Sequence, residues 1–433
     1  MPSFTWITYV QARQALAGRL ADPNNVFWTD AENGLYLAEA LRTWSALTEI
    51  WNSNFAFTAT PQNTWYNLST LPGSPRLRTL TDASLYTAMQ YHLLEPPTGA
   101  GAWTGTSQFS LSDLANALAH RRDEIIQVSG CNLGQLPPLP STPNTRRVFF
   151  PDSTLEPRRA RFVPNSGSPT TLSREDTLAF DAFESQHLQT SQTPSAWSVI
   201  TGPPLAMDVD TAPNVSGTYD VLALQAGLVF TPPATMLLGV PDDWAWLAKW
   251  GALADLLSRD SEATDRLRAA YCLDRYMTGL KIMKASNWLV SATINGIPVD
   301  TPSVREMDGF APEWQNNAVA WPSLVQAGMD FVAACPIAAT LAGVSMILVG
   351  NAPIPILDTD FVQISRDQFD AILDYAQVLA SFKMGGEEFL STKGLEKNFF
   401  TMAAEQNKRL LKLGLFGDMA HSAGKRQDRT QPR

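Results

Sequence analysis

The stretch from Tyr219 to Lys284 limits what this chain can fold into more than any other. It opens with an apolar-rich run of strand length, Tyr219-Asp-Val-Leu-Ala-Leu-Gln-Ala-Gly227. A proline-marked turn leads to Val240-Pro-Asp-Asp-Trp-Ala-Trp-Leu-Ala-Lys-Trp250 and on to Ser258. Trp246, Trp250, Leu253 and Leu257 recur at i, i+4, i+7 and i+11, so they share one helix face. Leu247 and Ala254 widen it into the stripe of a core-facing helix. Pro241 suits a first turn, where a missing N–H is harmless, and Asp242 and Asp243 complement the positive end of the dipole. Ser261 is placed to cap a second helix through Leu267, Ala270 and Tyr271 to Lys284.

A looser copy of this order follows. Val344-Ser-Met-Ile-Leu-Val-Gly350 stands where the first strand stood. Ser365 and Gln368 form a capping box, with Ile364 and Phe369 as a hydrophobic staple. Phe369, Ile372, Ala376 and Leu379 give a helix face, Gly385-Gly386 ends it, and Ser391 to Leu411 reads as another helix. The parallel order predicts a structural duplication.

Upstream, Thr8 to Leu20 reads as a helix, and the Thr29/Glu32 capping box starts another that runs to about Trp51. Phe55 to Leu71 predicts a strand or two. Leu80-Thr-Asp and Leu111-Ser-Asp each begin a helix with a hydroxyl–Asp pair. Prolines break the pattern between Gly130 and Thr145. Arg146 to Val163 reads as a hairpin turning at Pro151-Asp-Ser, Leu172 to His187 as a helix, and Ser195 to Asp210 as a strand or two. Asn295-Gly296 marks a tight hairpin within Asn287 to Asp300.

The resulting expectation is an α+β, helix-dominated protein. An N-terminal helical domain covers 1–130 and a Pro-rich linker 131–145. Two related lobes, each a small sheet plus a helix pair, cover 146–286 and 287–416. A basic flexible tail covers 417–433.

The net charge of −10 argues against a coat of bound nucleic acid. Three widely spaced cysteines, Cys131, Cys272 and Cys335, form no disulfide framework or metal knuckle, which points to a reducing compartment. The start, Met1-Pro-Ser-Phe-Thr-Trp6, does not read as a secretory signal. Phe331 to Gly350 carries no charge and reaches the about 20 residues a bilayer requires. Pro336 and the missing basic flanks favour instead a short helix or loop to about Leu341, then a buried strand, so no membrane span is expected.

The residues alone show no catalytic centre. His92 and His120 read as cations near helix C-termini, and Asp208/Asp210 and Asp358/Asp360 as turn or cap residues. No metal or cofactor site is expected. Two basic clusters stand out in the acidic chain. One is Arg146, Arg147, Arg158, Arg159 and Arg161, which a hairpin would gather; the other is Lys425, Arg426, Arg429 and Arg433. They are read as a charged sheet edge and a solvated tail, or as contacts to an acidic protein or to nucleic acid.

Two stretches carry a resemblance. Trp28-Thr-Asp-Ala-Glu-Asn-Gly-Leu-Tyr-Leu-Ala-Glu-Ala-Leu41 and Val240-Pro-Asp-Asp-Trp, with the helices after it to Leu280, resemble tailed-bacteriophage head–tail connector (adaptor or neck) proteins. The resemblance implies a non-enzymatic virion component, made in the host cytoplasm and assembled as a homo-oligomeric ring, twelvefold in a connector. Its partners would be portal, neck or tail proteins, with double-stranded DNA passing through the channel. The basic clusters are the expected partner contacts. The alternatives are a tail, collar or baseplate protein, including one that attaches fibres, and a hydrolase or carbohydrate-binding protein using Trp244, Trp246 and Trp250 as a sugar platform.

Overall fold

The computed structural model describes residues 4–48, 50–58, 65–68, 79–94, 108–176, 191–232, 234–259, 264–285, 289, 291–311, 314, 323–328, 331–335, 345–351 and 354–406. The helices are α1 (Tyr9–Arg19), α2 (Asp30–Thr48), α3 (Asp82–His92), α4 (Leu111–Ser129) and α5 (Ala245–Leu257). They continue with α6 (Arg266–Ala285), α7 (Val304–Phe310), α8 (Arg366–Ser381), α9 (Gly386–Ser391) and α10 (Lys393–Gln406). The first strands are β1 (Phe4–Thr8), β2 (Asn52–Thr58), β3 (Trp65–Asn67), β4 (Leu133–Gln135), β5 (Leu139–Ser141) and β6 (Arg147–Phe149). Next come β7 (Thr154–Pro164), β8 (Thr170–Arg174), β9 (Ala196–Ile200), β10 (Ala206–Val209) and β11 (Gly217–Gln225). The last are β12 (Ser291–Ile294), β13 (Ile297–Val299), β14 (Ser323–Ala327), β15 (Phe331–Cys335), β16 (Ser345–Asn351) and β17 (Phe361–Ser365). The protein is mixed α and β, compatible with the α+β expectation.

Local chemistry starts the helices as read from the sequence. Thr8 caps α1, Thr81 caps α3, and Ser365 closes a capping box with Gln368 at α8. At α2, Thr29 Oγ1 accepts from the Glu32 amide (3.2 Å) while Glu32 Oε2 accepts from the Thr29 amide (3.1 Å). Two caps differ by a few residues. Ser110 caps α4, and Asp265 accepts the Arg268 amide at the start of α6; Ser261 lies outside the described residues. Gly385 and Gly386 take positive φ and break the chain after α8. Asn295 and Gly296 also take positive φ, the geometry of a two-residue hairpin turn joining β12 to β13.

The helices do not divide into the expected domain and lobes. One hydrophobic core runs from Tyr9 to Ala403 and takes α1 to α6, α8 and α10 together. α5 lies at its centre: every residue from Ala245 to Leu257 is buried except Asp255. Its apolar surface therefore extends beyond the single face that the tryptophan spacing suggested. Both helix pairs of the expected duplication belong to this core, while the strands before them lead into different sheets. β1 pairs antiparallel with β17, which ties the first described residues to the last helices.

Residues 133–225 form a unit of their own. Their sheet runs β4-β11-β7-β8-β9-β10-β6, with β5 also on β11. The Pro-rich stretch 131–145 thus contains β4 and β5 and is part of this sheet rather than a linker. The expected hairpin between Arg146 and Val163 does not form: β6 pairs with β10, whereas β7 pairs with β11 and β8. Leu172 lies in β8, and most of the helix expected after it falls outside the described residues.

Alternation along β11 explains how this sheet joins the helices. Tyr219, Val221 and Ala223 point into the sheet's own core with Phe162, Trp197 and Met207. Leu222 and Leu224 point the other way into the helical core, where Leu133 joins them.

Smaller sheets, β13-β12-β16-β2 and β14-β15-β3, share a third apolar cluster around Phe57, Tyr66, Leu324 and Val332. β15 occupies the start of the uncharged segment where a helix or loop was expected, and β16 is the expected strand. Among the described residues, no helix is long and apolar enough to cross a membrane.

Candidate functional site

The arginines singled out in the sequence are not brought together as one free basic face. Arg146 donates from Nε to the Val209 carbonyl (3.0 Å). Arg147 holds both oxygens of Asp208 (2.9 and 3.0 Å) across the β6–β10 pair. Arg158 meets Glu156 (2.9 Å), and Arg161 meets Asp220 (2.9 Å) on the facing strand. Arg159 is buried. It pairs with Asp308 of α7 (3.0 Å) and lies over the Trp314 ring, 5.1 Å from its centroid. Trp314 Nε1 donates to the same Asp308 carboxylate (2.9 Å). Arg159 therefore clamps the β-sheet unit to α7 and is not offered to a partner. The common cause is strand pairing: β6 and β7 sit apart in the sheet, so each arginine finds a carboxylate or carbonyl nearby. The other cluster, Lys425, Arg426, Arg429 and Arg433, lies outside the described residues.

The aspartate pairs take turn and strand roles. Asp210 accepts from the backbone and hydroxyl of Ser195, and Asp360 accepts the Leu357 amide (2.9 Å). Trp244, Trp246 and Trp250 are buried, so they offer no sugar platform.

The most distinctive constellation is one the sequence reading missed, a charged network buried between α2, α3, α5 and α6. Glu39 accepts from Lys249, from Arg275 (2.6 Å) and from Trp250 Nε1 (2.5 Å). Arg275 also donates to the Tyr375 hydroxyl, and its guanidinium stands within about 5 Å of the Trp246, Trp250 and Tyr375 ring centroids. Lys249 lies 3.2 Å from His92 Nε2. Burial opposes ionisation of Glu39, but the charges of Lys249 and Arg275 outweigh it and hold the carboxyl below its ordinary value. Burial pushes the Lys249 ammonium down, partly offset by Glu39. Burial and then Lys249, Arg268 and Arg275 push His92 well below the ordinary imidazole value. His92 is thus a neutral ring among cations, which corrects its reading as a helix-end cation. His120 is exposed in the middle of α4, not at its end.

One signal for this network was present: a lysine inside the apolar run Ala245 to Ala254, and a single glutamate between Leu37-Ala38 and Ala40-Leu41. Isolated charges inside apolar helix faces stay folded only when paired. Beside the network is a cavity of about 40 Å³ lined by Thr43, Trp246, Tyr271, Arg275, Tyr375 and Glu396. It has room for about three waters at ~10–15 Å³ each. Burial pushes the Cys272 thiol up to about 12, so it is a packing residue rather than a nucleophile. The described residues hold no group of three or more His, Cys, Asp or Glu arranged to bind a metal.

A second concavity is open and larger, a groove of about 640 Å³ along β17. Ile50, Trp51, Ile354, Asp360, Phe361 and Gln363 line it.

No protein-family model matches the chain, and no curated protein does.

Proposed function

We propose that this chain is a non-enzymatic structural component of a tailed-phage particle. In this reading it forms a ring at the head–tail junction, made in the host cytoplasm and carried in the virion. Portal and neck or tail proteins are its partners, and double-stranded DNA passes through the ring. The observation that carries the reading is that the two stretches bearing the resemblance meet. Glu39 of the first binds Lys249 and Trp250 of the second, and Arg42, the residue just after the first, faces Asp243 at 3.9 Å. Trp28 is also anchored, through Nε1 to the Ala380 carbonyl (3.2 Å), and Glu32 is held by Lys383 (3.1 Å). The resembling residues thus build one helical body, as a shared architectural signature would. Arg159 drops out as a partner contact; Arg146, Arg147, Arg158, Arg161 and the tail residues remain.

Light scattering of the purified chain at rising concentration tests this. A discrete large ring is expected, or a monomer that becomes one on adding a portal protein. A monomer indifferent to concentration and to virion proteins would overturn the reading.

A further inference from the structure

We propose that α10 is a pH-sensitive latch: it lies closed on the helical core while the Glu396 carboxyl is neutral and opens more often as that carboxyl ionises. Apolar contact supplies most of its hold. Phe399 is buried, stacked on Tyr375 (4.1 Å between ring centroids) and set against Trp44 (5.3 Å), and Ala403 and Ala404 are buried with it. Glu396, one turn before Phe399, instead turns into the cavity of about 40 Å³ at the foot of the buried network.

That position buries a carboxyl without giving it a cation. Among the described residues Glu396 makes no ion pair, and its side-chain hydrogen bond is from the Tyr271 hydroxyl (3.2 Å). Arg275 lines the same cavity, but its guanidinium is committed to Glu39 (2.6 Å) and to the Tyr375 hydroxyl. Asp274, also on α6, repels an anion at Glu396, while Lys393 on α10 itself is exposed and attracts one. Asp374 of α8 is taken by Arg19 and Asn398. α2 and α5 turn only the uncharged Thr43 and Trp246 into the cavity. An ionised Glu396 is therefore desolvated and only partly compensated. Burial raises its carboxyl above the ordinary 4.5, although the charge of Arg275 pulls the other way.

The direction of the response follows. Lifting α10 returns the carboxyl to water and to its ordinary value, so the closed helix binds the proton more tightly than the open one. Closure is fully favoured below 4.5 and weakens as pH rises through the higher value of the closed state. Gly385 and Gly386, both at positive φ ahead of the short α9, set this end of the chain off from α8 by a turn. α10 can therefore lift without unwinding α8.

The test is hydrogen exchange of the full chain, wild type against Glu396→Gln, compared at each pH so that the intrinsic exchange rate cancels. In both proteins α10 amides should exchange before those of α4, which marks an opening short of unfolding. The wild-type excess over the variant in α10 should grow by about threefold or more from about pH 5 to about pH 8. Glu396→Met, also without charge, should give the same comparison, so the result does not hang on one replacement. A ratio that stays flat with pH overturns the proposal. So does a wild-type α10 that gains protection as pH rises, because Glu396 would then be a counter-charge to Arg275. Exchange of α10 and α4 in step would also overturn it, since no separate latch would exist.

Discussion

Glu39→Gln keeps the shape of the side chain and removes its charge. In the native core that carboxylate faces two cations, Lys249 and Arg275, each with a side chain about 5% exposed or less. The variant strands both charges away from water. Breaking a buried pair by removing one partner costs about 3–5 kcal/mol. Trp250 retains an acceptor in the glutamine oxygen, so the loss is electrostatic. Urea unfolding followed by tryptophan fluorescence should show the midpoint fall at unchanged slope. A cycle with Lys249→Met isolates the pair: in the glutamine background the second substitution removes a stranded charge and should be milder than in the wild type by about 1.5 kcal/mol or more. Additivity within about 0.5 kcal/mol would mean that Lys249 and Glu39 do not interact in the folded state, and the account of the core given above would be wrong.

Other positions give sharper local tests. A Cβ at Gly279 would overlap Leu247 Cδ2 and sit 2.8 Å from Trp246 Cη2, so Gly279→Ala should lower stability by about 1–3 kcal/mol despite the better helix propensity of alanine. Arg159→Ala should destabilise by about 2–3 kcal/mol in chemical denaturation, whereas Arg158→Ala, paired only at the surface, should stay within about 0.5 kcal/mol. Burial raises the Asp243 carboxyl to about 7 despite Arg42, from 3.8 when unfolded. Its folded pKa is the higher one, so its favourable contribution is present in acid and lost as pH rises towards 7; Asp243→Asn should gain on the wild type over that range in pH-dependent melting. His92 has the opposite sign: its folded value lies below 6.5, so stability is lost as pH falls beneath that, and His92→Gln should flatten the loss.

Much of the local structure was readable because its cause is local. Thr29 and Glu32, Ser365 and Gln368, and Asn295 and Gly296 act over two to four residues, and each does what its spacing implies. Pairings set by distant chain were hidden. Arg146 to Phe150 and Arg158 to Val163 look like two arms of one hairpin, yet each finds a better partner in β10 and β11. Proline read as a breaker at 131–145, although Pro140 sits in β5 opposite Thr218. The buried network was illegible for another reason. A charged residue reads as surface until its partner is known, and Glu39 finds Lys249 and Arg275 more than 200 positions away in sequence. The same logic removed Arg159 from the arginine cluster: Asp308, about 150 positions away in sequence, draws it into the interior.

The pairing of β1 with β17 also bears on how the chain is born. Arg13 and Asp358 are 345 residues apart, which at about 5–20 residues per second is roughly 20–70 s of synthesis. During that interval α1 and α2 exist without α8 and α10, and the apolar faces they turn toward those helices have no native cover. The 133–225 sheet closes its own core from contiguous chain and is free to fold while the ribosome is still at work. The helical body has to wait for the last segment, so its contacts have high sequence separation and form slowly. A truncated or stalled product would therefore carry a finished sheet beside an unfinished, adhesive helical half, a species that chaperones are made to hold.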